Sequence, residues 1–552
     1  MRKKRILWIN EASYLATGYA IYGREVMSRL HASGKYEVAE LATYGSPLDT
    51  RRFNVPWTYY GNAPDEQGNP NYHANMTNLY GAWRLEEVLL DFKPDFVTTI
   101  SDIWMTSFIP ESPFRKLFNW SHLAPVDSVP QDAAFLGIYA NANAVFGYSD
   151  WACEVLKEEG GNKIRVGGTI SPAAAPEFQP TPDKVAHKNK MGLTDCYVVG
   201  TVMRNQQRKL YPNLFNAFKQ FLFLAPKEIS KDAYLWLHCS YPDLGWDIPE
   251  LLKESGIGHR VLFTYICEAC GFVFPAFFSD AKCTCSNCGQ PEAKLTSNQL
   301  GTNNAQLADV YNCFDIYVQY AVCEGWGMPV VEAASCGVPV AAVNYSAMSD
   351  VCSKLGGYLI PIQNYFRESA TQFIRAYPND TALANILSQF FNLPSTLRNL
   401  KGQEMLRNVK QFNWDKAAYL WMHYYDSQPT IDNWDCPPDI FQSATEIPNN
   451  LAPPDLVRWS YLNVLGQVND MYSYDALRHI KDLTHGIRNA GHGGLSVSDN
   501  SLFGANPEME YFGVNEFIKL LTNKRIGINY WESRRSGRIQ EPKPDFIVNK
   551  KV

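Results

Sequence analysis

The 552-residue sequence lacks the long apolar runs that mark membrane proteins and secreted precursors. No stretch reaches the ~18–20 apolar residues that a membrane span needs. The basic start, MRKKRILWIN, leads into only a short apolar run, without a signal-peptide core or a small-residue cleavage site. We therefore expect a soluble protein of the cytoplasm.

A basic surplus is also missing, since the formal net charge is −6. This balance excludes a chain that clamps nucleic acid over its whole surface, although it permits a local basic patch. Internal repeats of 20–50 residues are absent, which excludes a repeat array. The odd count of 13 cysteines without a secretion signal argues against a disulfide framework.

What the sequence does contain is two series of alternating strand and helix patterns. The first begins with RILWIN (5–10) and YEVAELAT (36–43), and the second with CYVVGTVM near residue 196. Such alternation predicts parallel sheets covered by helices on both faces. A Pro- and Ala-rich stretch, SPAAAPEFQPTPDKV (171–185), has the composition of a hinge between them. Residues 382–426 have mainly helical patterning.

The segment CFDIYVQYAVCEGWGMPVVEAASCGVPVAAV (313–343) predicts a strand, a loop, a helix and a strand. Because Pro is tolerated in the first turn of a helix, the helix should begin near Gly327. Its free N–H groups would then be able to hold a phosphate. Glu324 and Glu332 flank this turn, where each carboxylate would accept hydrogen bonds from sugar hydroxyls. The bland alternative is a capped helix with two solvated glutamates.

Three cations, Arg204, Arg208 and Lys209, crowd together after the first strand of the second series. At the carboxyl end of that strand they would neutralise a diphosphate, in place of a divalent metal. A solvated basic turn is the alternative for this motif taken alone.

These stretches resemble the retaining GT-B glycosyltransferases with an E-x7-E signature, known as group 1. The matching motifs are CEGWGMPVVEAASCGVPVAAV, VVGTVMRNQQRK, AVFGYSDWA and ATGYAIYG, and the resemblance covers about residues 5–425. It implies an α/β fold of GT-B type with two facing Rossmann-like domains. The activity implied is metal-independent transfer of a hexosyl or pentosyl group from a nucleotide-sugar with retention.

The resemblance also implies roles for individual residues. Glu324 would contact the donor sugar and Glu332 the ribose, and Arg204 and Lys209 would bind the diphosphate. Donor contacts from the backbone would come from Gly18, Gly325, Trp326, Gly327 and Met328. A polar residue after a mid-domain strand is expected to act in catalysis, and in NWSHLAPVDS both His122 and Asp127 qualify, with Asp127 preferred. No catalytic metal is expected.

A cluster of cysteines lies in CEACGFVFPAFFSDAKCTCSNCGQPE (267–292). The pairs Cys267/Cys270 and Cys285/Cys288 each have two intervening residues and a glycine after the second cysteine, leaving Cys283 spare. Four thiolates at this spacing predict a tetrahedral structural Zn²⁺ site, a zinc ribbon. A four-thiolate site has no open position, so we expect no metal catalysis from it. The alternatives are chance clustering or another thiophilic metal.

The predicted organisation is an acceptor-side domain at 1–175 and a nucleotide-sugar domain at 176–365, interrupted by a zinc ribbon at 266–292. A helical return segment at 366–425 and an extension of unknown role at 426–552 follow. Acceptors left open are carbohydrate, lipid, protein or a DNA nucleobase. Two alternatives remain: an epimerase or phosphorylase on the same fold, and a nucleic-acid-associated protein that uses the ribbon and the basic RRSGR stretch (534–538).

Overall fold

The computed structural model describes residues 2–64, 70–73, 75–112, 114–279, 281–297, 299–430 and 434. Within these ranges two parallel sheets, each covered by helices, follow one another along the chain. The predicted pair of Rossmann-like domains with a helical segment behind them is confirmed. Nearly all of the extension predicted at 426–552, including the RRSGR stretch, lies outside the described residues.

The first domain is built on a seven-stranded parallel sheet in the order β3-β2-β1-β4-β5-β6-β7. Its strands are β1 (Lys4–Glu11), β2 (Tyr36–Thr43), β3 (Thr58–Gly61), β4 (Phe96–Ile100), β5 (Asn119–Ala124), β6 (Ala144–Gly147) and β7 (Val166–Thr169). Its helices are α1 (Gly18–Ala32), α2 (Pro70–His73), α3 (Leu85–Phe92), α4 (Ala133–Tyr139) and α5 (Asp150–Gly160). In β1, Ile6, Leu7 and Trp8 are all fully buried, as a strand covered on both faces requires.

The second domain contains the sheet order β11-β10-β9-β8-β13-β14-β15, with β12 paired to β10. Its strands are β8 (Tyr197–Val202), β9 (Ala233–His238), β10 (Val261–Cys267), β11 (Val273–Phe277), β12 (Ala293–Leu295), β13 (Ile316–Gln319), β14 (Val340–Val343) and β15 (Tyr358–Ile360). Its helices are α6 (Lys184–Lys190), α7 (Tyr211–Leu224), α8 (Lys227–Ser230), α9 (Ile248–Ser255), α10 (Asn304–Tyr311), α11 (Met328–Ser335) and α12 (Ser346–Leu355).

Both sheets have a point where the winding reverses, between β1 and β4 in the first and between β8 and β13 in the second. Open α/β sheets bind ligands beyond the carboxyl ends of their strands at such points. The segments that follow β1, β4, β8 and β13 carry Gly18, Asp102, Arg204 and Glu324, respectively. The topology therefore brings the predicted motifs to the edges of the sheets where ligands bind.

The cysteine-rich insert is not an appendage to the second domain, because it shares a strand with the central sheet. β10 pairs with β9 in parallel through Val261–Phe263, and with β11 and β12 in antiparallel fashion further along. Cys267, the first cysteine of the cluster, is the last residue of β10 and is buried. The insert therefore begins inside a core strand of the second domain.

The return segment begins with an antiparallel hairpin, β16 (Ile362–Arg367) and β17 (Ile374–Pro378), which the sequence reading did not foresee. Three helices follow, α13 (Asp380–Asn392), α14 (Ser395–Asn408) and α15 (Trp414–Ser427). α15 packs on the first domain, where the Tyr425 hydroxyl lies 2.7 Å from Thr98 Oγ1. The chain thus ends its described course on the domain where it began. None of the helices in the described ranges combines the length and apolarity needed to cross a bilayer.

Candidate active site

The glycine turn after β13 adopts the geometry that its sequence predicts. Gly327 has φ +93° and ψ 62°, in the left-handed region, and the helix α11 begins at the next residue, with Pro329 in its first turn. A side chain at Gly327 would find room, since a Cβ atom there would lie 3.4 Å from Val330 Cγ2. Glycine is therefore required by the backbone conformation and not by crowding.

Glu324 lies immediately before this turn, and three side chains bind its carboxylate. Lys209 forms an ion pair with one oxygen, which also accepts a hydrogen bond of 2.8 Å from Gln319 Nε2. Arg208 Nη1 donates to the other oxygen at 2.8 Å. Glu324 is only 7% exposed, so these three partners satisfy a carboxylate that is almost completely removed from solvent.

Lys209 is almost fully buried next to the carboxylate. Burial, and then the neighbouring Arg208, lower the pKa of Lys209 well below its usual range. The Glu324 carboxylate in contact with it opposes that shift by favouring the charged form. An anionic ligand entering here would give the buried Lys209 and the exposed Arg208 a second partner.

The Arg204 side chain pairs with a different carboxylate from that of Arg208 and Lys209. Its guanidinium pairs with Asp243 at 2.8 Å, in the loop after β9, and is about half exposed. The hydrogen bond that its guanidinium donates to the Asp243 carboxylate raises the pKa of Arg204. Of the predicted diphosphate pair Arg204 and Lys209, the structure therefore brings only Lys209 to Glu324, and Arg208, the third cation of the predicted cluster, takes the place of Arg204 in that contact.

Glu332 lies on α11 and contacts neither set of cations in the hydrogen bonds of the described chain. Its carboxylate accepts a hydrogen bond of 2.7 Å from the Tyr311 hydroxyl at the end of α10. Burial raises the pKa of Glu332 to about 7, and the Tyr311 hydrogen bond opposes that shift. The two glutamates of the motif therefore have separate partners.

Asp127 comes from the first domain and lies against the second. It follows β5, accepts a hydrogen bond of 3.2 Å from Arg375 Nη1, and accepts another of 3.3 Å from the Cys323 thiol. Cys323 is the residue before Glu324, and Arg375 Nη1 also donates to its sulfur at 2.8 Å. The candidate acid of one domain is thus hydrogen-bonded to the residue directly before the candidate carboxylate of the other.

Gly325 shows how closely the two domains approach each other here. A Cβ atom on Gly325 would lie 2.6 Å from the carbonyl oxygen of Pro125, which belongs to the loop after β5. Next to it, Trp326 is buried, and its ring packs edge-on against Phe412 at 5.1 Å. Only glycine fits at position 325 with this spacing.

His122 does not reach this region. It lies within β5, fully buried, with Nδ1 2.7 Å from Thr99 Oγ1, and burial lowers its pKa to about 3. The aromatic rings of Trp120 and Tyr139 pack against it. Of the two catalytic candidates, Asp127 is the one at the contact between the domains.

Gly18 begins α1, whose N-cap is Thr17, and a Cβ atom at Gly18 would meet nothing within 4 Å. Beside this helix start the Tyr19 hydroxyl donates to Asp102 at 3.1 Å. Burial raises the pKa of Asp102, the charge of Asp127 adds to the shift, and that of Arg208 opposes it. Burial also raises the pKa of Glu11, at the end of β1. The first domain thus presents three acids on its side of the contact.

Cys323, Arg375 and Tyr311 are the partners to which the sequence analysis assigned no role. Arg208 was part of the predicted cation cluster, but its contact with Glu324 was not predicted. Arg375 lies on β17 in a hairpin that was read as the start of a helical segment. Its alternating apolar residues, in IRAYP (374–378), are the signal that was available.

The four predicted metal ligands lie together in the insert. Cys267 Sγ is 3.7 Å from Cys288 Sγ, Cys270 Sγ is 3.7 Å from Cys285 Sγ, and all four sulfurs lie within 4.8 Å of one another. A tetrahedral zinc site with bonds of about 2.3 Å has sulfur–sulfur edges of about 3.8 Å, so the spacing fits zinc. Cys283 lies outside this set and forms a β-bridge with Ala293.

Several solved structures have the same architecture. Sucrose-phosphate synthase from Thermosynechococcus elongatus superposes with a TM-score of 0.56 at 18% identity, over 77% of this chain and 98% of its own. HepE from Anabaena, in complex with UDP and glucose, gives 0.53 at 15% identity, over 77% and 100%. A glycosyltransferase from Rickettsia africae ESF-5 gives 0.52 at 15% identity, over 77% and 98%. Identities this low establish the fold alone. No curated protein sequence matches the chain significantly.

Two Rossmann-like domains in contact, with a glycine-capped helix at the switch point of the second, define the GT-B class of glycosyltransferases. Residues 297–401 match the family described as Glycosyl transferases group 1, and this segment includes α11 and both glutamates. Residues 297–401 are therefore similar to the group 1 glycosyltransferases, and the chain has the GT-B fold. The family resemblance read from the sequence is confirmed.

Proposed function

We propose that the protein transfers a sugar from a nucleotide-sugar to an acceptor hydroxyl with retention of the anomeric configuration. The observation that carries this proposal is the Glu324 carboxylate, held between Lys209 and Arg208 directly ahead of a glycine-capped helix. HepE has been solved with UDP and glucose on this fold, which supports a UDP-linked hexose as the first donor to test.

The donor diphosphate binds where the cations and the start of α11 converge. Lys209 and Arg208 supply positive charge beside Glu324, and Arg204 joins them by sharing or leaving its partner Asp243. Backbone N–H groups from Gly325 to Met328 point to the sugar and the phosphates, since the first N–H groups of a helix have no partner within it. With three cations available, the diphosphate needs no divalent metal for charge balance.

The chemistry then requires orientation and charge stabilisation from the protein. The bond between the anomeric carbon and the diphosphate oxygen breaks, and the acceptor oxygen bonds to that carbon on the same face. The acceptor proton passes to the departing diphosphate. Glu324 supplies negative potential to the cationic sugar in the transition state, and Asp127 orients a hydroxyl from the first domain's side.

The acceptor side is acidic, which restricts the acceptor. Glu11, Asp102 and Asp127 lie close enough that the charges of the other two raise the pKa of Asp102. Carboxylates accept hydrogen bonds from hydroxyl groups and repel phosphates. An uncharged compound with several hydroxyls, such as a carbohydrate, fits this wall better than a polyanion.

The nucleic-acid alternative receives no support from the ribbon. Its single lysine, Lys282, already pairs with Glu268 and Glu292, and Lys294 just beyond it pairs with Glu268. The lysines of the described ribbon residues are thus engaged by carboxylates rather than available to contact phosphates. A filter-binding assay at 50 mM and 200 mM salt tests the alternative, and tight, salt-sensitive DNA binding would revive it.

The first experiment is calorimetric titration of the full chain with UDP and other nucleoside diphosphates, without added Mg²⁺. We expect one diphosphate to bind, and Lys209→Ala to abolish that binding. Lys219→Ala, at an exposed lysine of α7, is the matched control and should bind normally. A strict Mg²⁺ requirement, or no binding by any member of the panel, would overturn the proposed donor site.

The product decides between transfer and the other reactions of this fold. We expect NMR of the reaction with the bound donor to show a new glycosidic bond whose anomeric configuration matches that of the donor. Inversion would contradict the proposal, and an epimerised nucleotide-sugar with no new glycoside would favour the epimerase alternative.

We also propose that Cys267, Cys270, Cys285 and Cys288 hold one structural Zn²⁺, which would cross-link the two turns of the insert. Metal analysis of the purified chain should find about one zinc per molecule. Cys270→Ser should remove it, and Cys283→Ser should retain it, because Cys283 lies apart from the cluster. Retention of zinc in Cys270→Ser would refute this ligand set.

A further inference from the structure

The metal-binding turn of the insert is hydrogen-bonded to a helix of the donor site. The turn Cys267–Gly271 closes with the Gly271 N–H donating to the Cys267 carbonyl at 2.8 Å, and Gly271 has φ +71°. The Gly271 carbonyl then accepts a hydrogen bond of 2.7 Å from Gln306 Nε2, in the first turn of α10. Zinc bound to the two cysteines of this turn would therefore fix the carbonyl that holds Gln306.

Gln306 uses both ends of its side-chain amide. Its Oε1 accepts from the Asn303 backbone N–H at 2.9 Å, which completes the capping box of α10, while its Nε2 reaches Gly271. The amide orientation is set by these two bonds. Gln306 consequently ties the start of the helix to the metal turn in addition to capping it.

The other end of α10 is in the core, next to the site. Tyr311, its last residue, is fully buried between the rings of Phe178 and Phe314, at centroid distances of 5.7 and 5.8 Å. Its hydroxyl donates to Glu332 at 2.7 Å. Because α10 has only 8 residues, a displacement at Gln306 is transmitted along little more than two turns.

We propose that the four-cysteine metal site acts as a positioning element of the donor site, through Gln306 and α10 to Tyr311 and Glu332. Metal binding and donor binding are then thermodynamically coupled. Loss of the metal frees the Gly271 turn, loosens the start of α10 and removes the fixed hydroxyl from Glu332. The inference rests on the proposed function in one respect only, namely that Glu332 contacts the donor.

Coupling of this kind is reciprocal, which gives a sharp test. Zinc affinity is measured with a competing chelator in the presence and absence of saturating UDP, and UDP affinity is measured on zinc-loaded and zinc-free full-length protein. We expect a shift of about fivefold in each, of equal size, as one hydrogen bond of ordinary net strength allows. Equal zinc affinity with and without bound UDP would overturn the proposal.

The variant Gln306→Glu tests the hydrogen bond between α10 and the metal-binding turn separately from the cap of the helix. A glutamate keeps the capping-box acceptor but cannot donate to the Gly271 carbonyl. We expect this variant to bind zinc and to have lost the coupling, and Tyr311→Phe to do the same from the other end. Gln299→Glu, at an exposed glutamine shortly before α10, makes the same charge change and should leave the coupling intact. Persistence of full coupling in both Gln306→Glu and Tyr311→Phe would contradict the assigned path.

Hydrogen exchange of residues 304–311 tests the same path without a donor. Amide protection in α10 should fall when zinc is removed from the wild type, and should already be reduced in zinc-loaded Gln306→Glu. If protection is unchanged in both, the proposal fails even though UDP binds. If protection falls as expected but UDP does not bind, the metal link stands and the proposed donor role of Glu332 is what fails.

Discussion

Glu324 and Glu332 border the same helix start, yet the protein holds them in different ways. Glu324 is surrounded by Lys209, Arg208 and Gln319, so its carboxylate is matched by charge. Glu332 is held by one neutral hydroxyl and by burial, which raises its pKa to about 7. The comparison shows that one carboxylate is paired with cationic side chains, whereas the other has a neutral partner and a pKa that burial raises towards neutral pH.

The largest effect on stability and activity should follow from removing a cation that pairs with Glu324. Lys209→Met leaves the Glu324 carboxylate buried with one cation fewer, and we expect it to lower the free energy of unfolding by about 3 kcal/mol. Activity should fall by at least ~100-fold, since the same cation serves the diphosphate. Chemical denaturation and kinetics measure the two losses.

The double variant Lys209→Met/Glu324→Gln serves as the control, because it removes the unpaired charge. It should recover most of the stability and none of the activity. Glu332→Gln should cost far less stability than Lys209→Met. If Lys209→Met is as stable as the wild type, the ion pair between Lys209 and Glu324 does not stabilise the fold as described.

Substitution of Gly327, before the start of α11, should have the next largest effect on stability. Gly327→Ala forces a side chain into a left-handed conformation and should cost about 1–2 kcal/mol, together with a loss of UDP affinity. Gly18→Ala is the contrast, because that glycine lies in open space at the start of a helix and should unfold like the wild type. Thermal unfolding compares them, and equal losses would show that the conformation of Gly327 does not matter.

The pH dependence should separate the two carboxylates. If the ionised Glu332 accepts the ribose hydroxyls, UDP affinity falls as pH drops below about 7, by up to ~10-fold per pH unit. The free energy of unfolding should change with pH in the opposite direction to UDP affinity. The pKa of Glu332 is raised on folding from about 4.5, so the folded state binds more protons between these values, and this contribution to stability is lost as pH rises through 7.

Calorimetry with UDP between pH 5.5 and 8.5 measures this trend. The slope should vanish in Glu332→Gln and persist in Glu324→Gln, although the latter will bind more weakly overall. A slope that survives in Glu332→Gln would assign the titration to another group.

The smallest stability effect should come from Arg204, whose guanidinium is about half exposed although its partner Asp243 is buried. Arg204→Ala should change the free energy of unfolding by only about 1 kcal/mol, because Ser240 and the Leu244 N–H still donate to the Asp243 carboxylate. UDP affinity should still fall severalfold, because the guanidinium joins the diphosphate when it binds. Unchanged UDP affinity would indicate that Lys209 and Arg208 bind the diphosphate without Arg204.

Much of the fold follows from the sequence where local patterns are strong. YEVAELAT was expected as a strand at 36–43, and β2 occupies those residues. The start of α11 was placed within one residue because glycine and proline restrict the backbone independently of tertiary contacts. The position of Glu324 followed from that turn.

The parts that sequence reasoning did not settle depend on contacts between distant residues. His122 and Asp127 could not be separated because the end of β5, at Ala124, was not fixed by pattern. Which of Arg204 and Arg208 meets Glu324 is decided by the direction of each side chain after β8. The hairpin of β16 and β17, which brings Arg375 to Asp127, is stabilised by pairing that a single segment does not reveal.

The return of α15 to the first domain determines how the two domains can move. Up to residue 430 the chain crosses between the domains twice, and both crossings contact Tyr22 of α1. The Tyr22 hydroxyl donates to the Ile170 carbonyl at 3.3 Å, and its ring packs edge-on against Trp414 at 5.4 Å. Two adjacent tethers permit rotation about the line that joins them and resist sliding or twisting. We therefore expect the two domains to open by rotation about the line that joins the two crossings, with Tyr22 close to that axis.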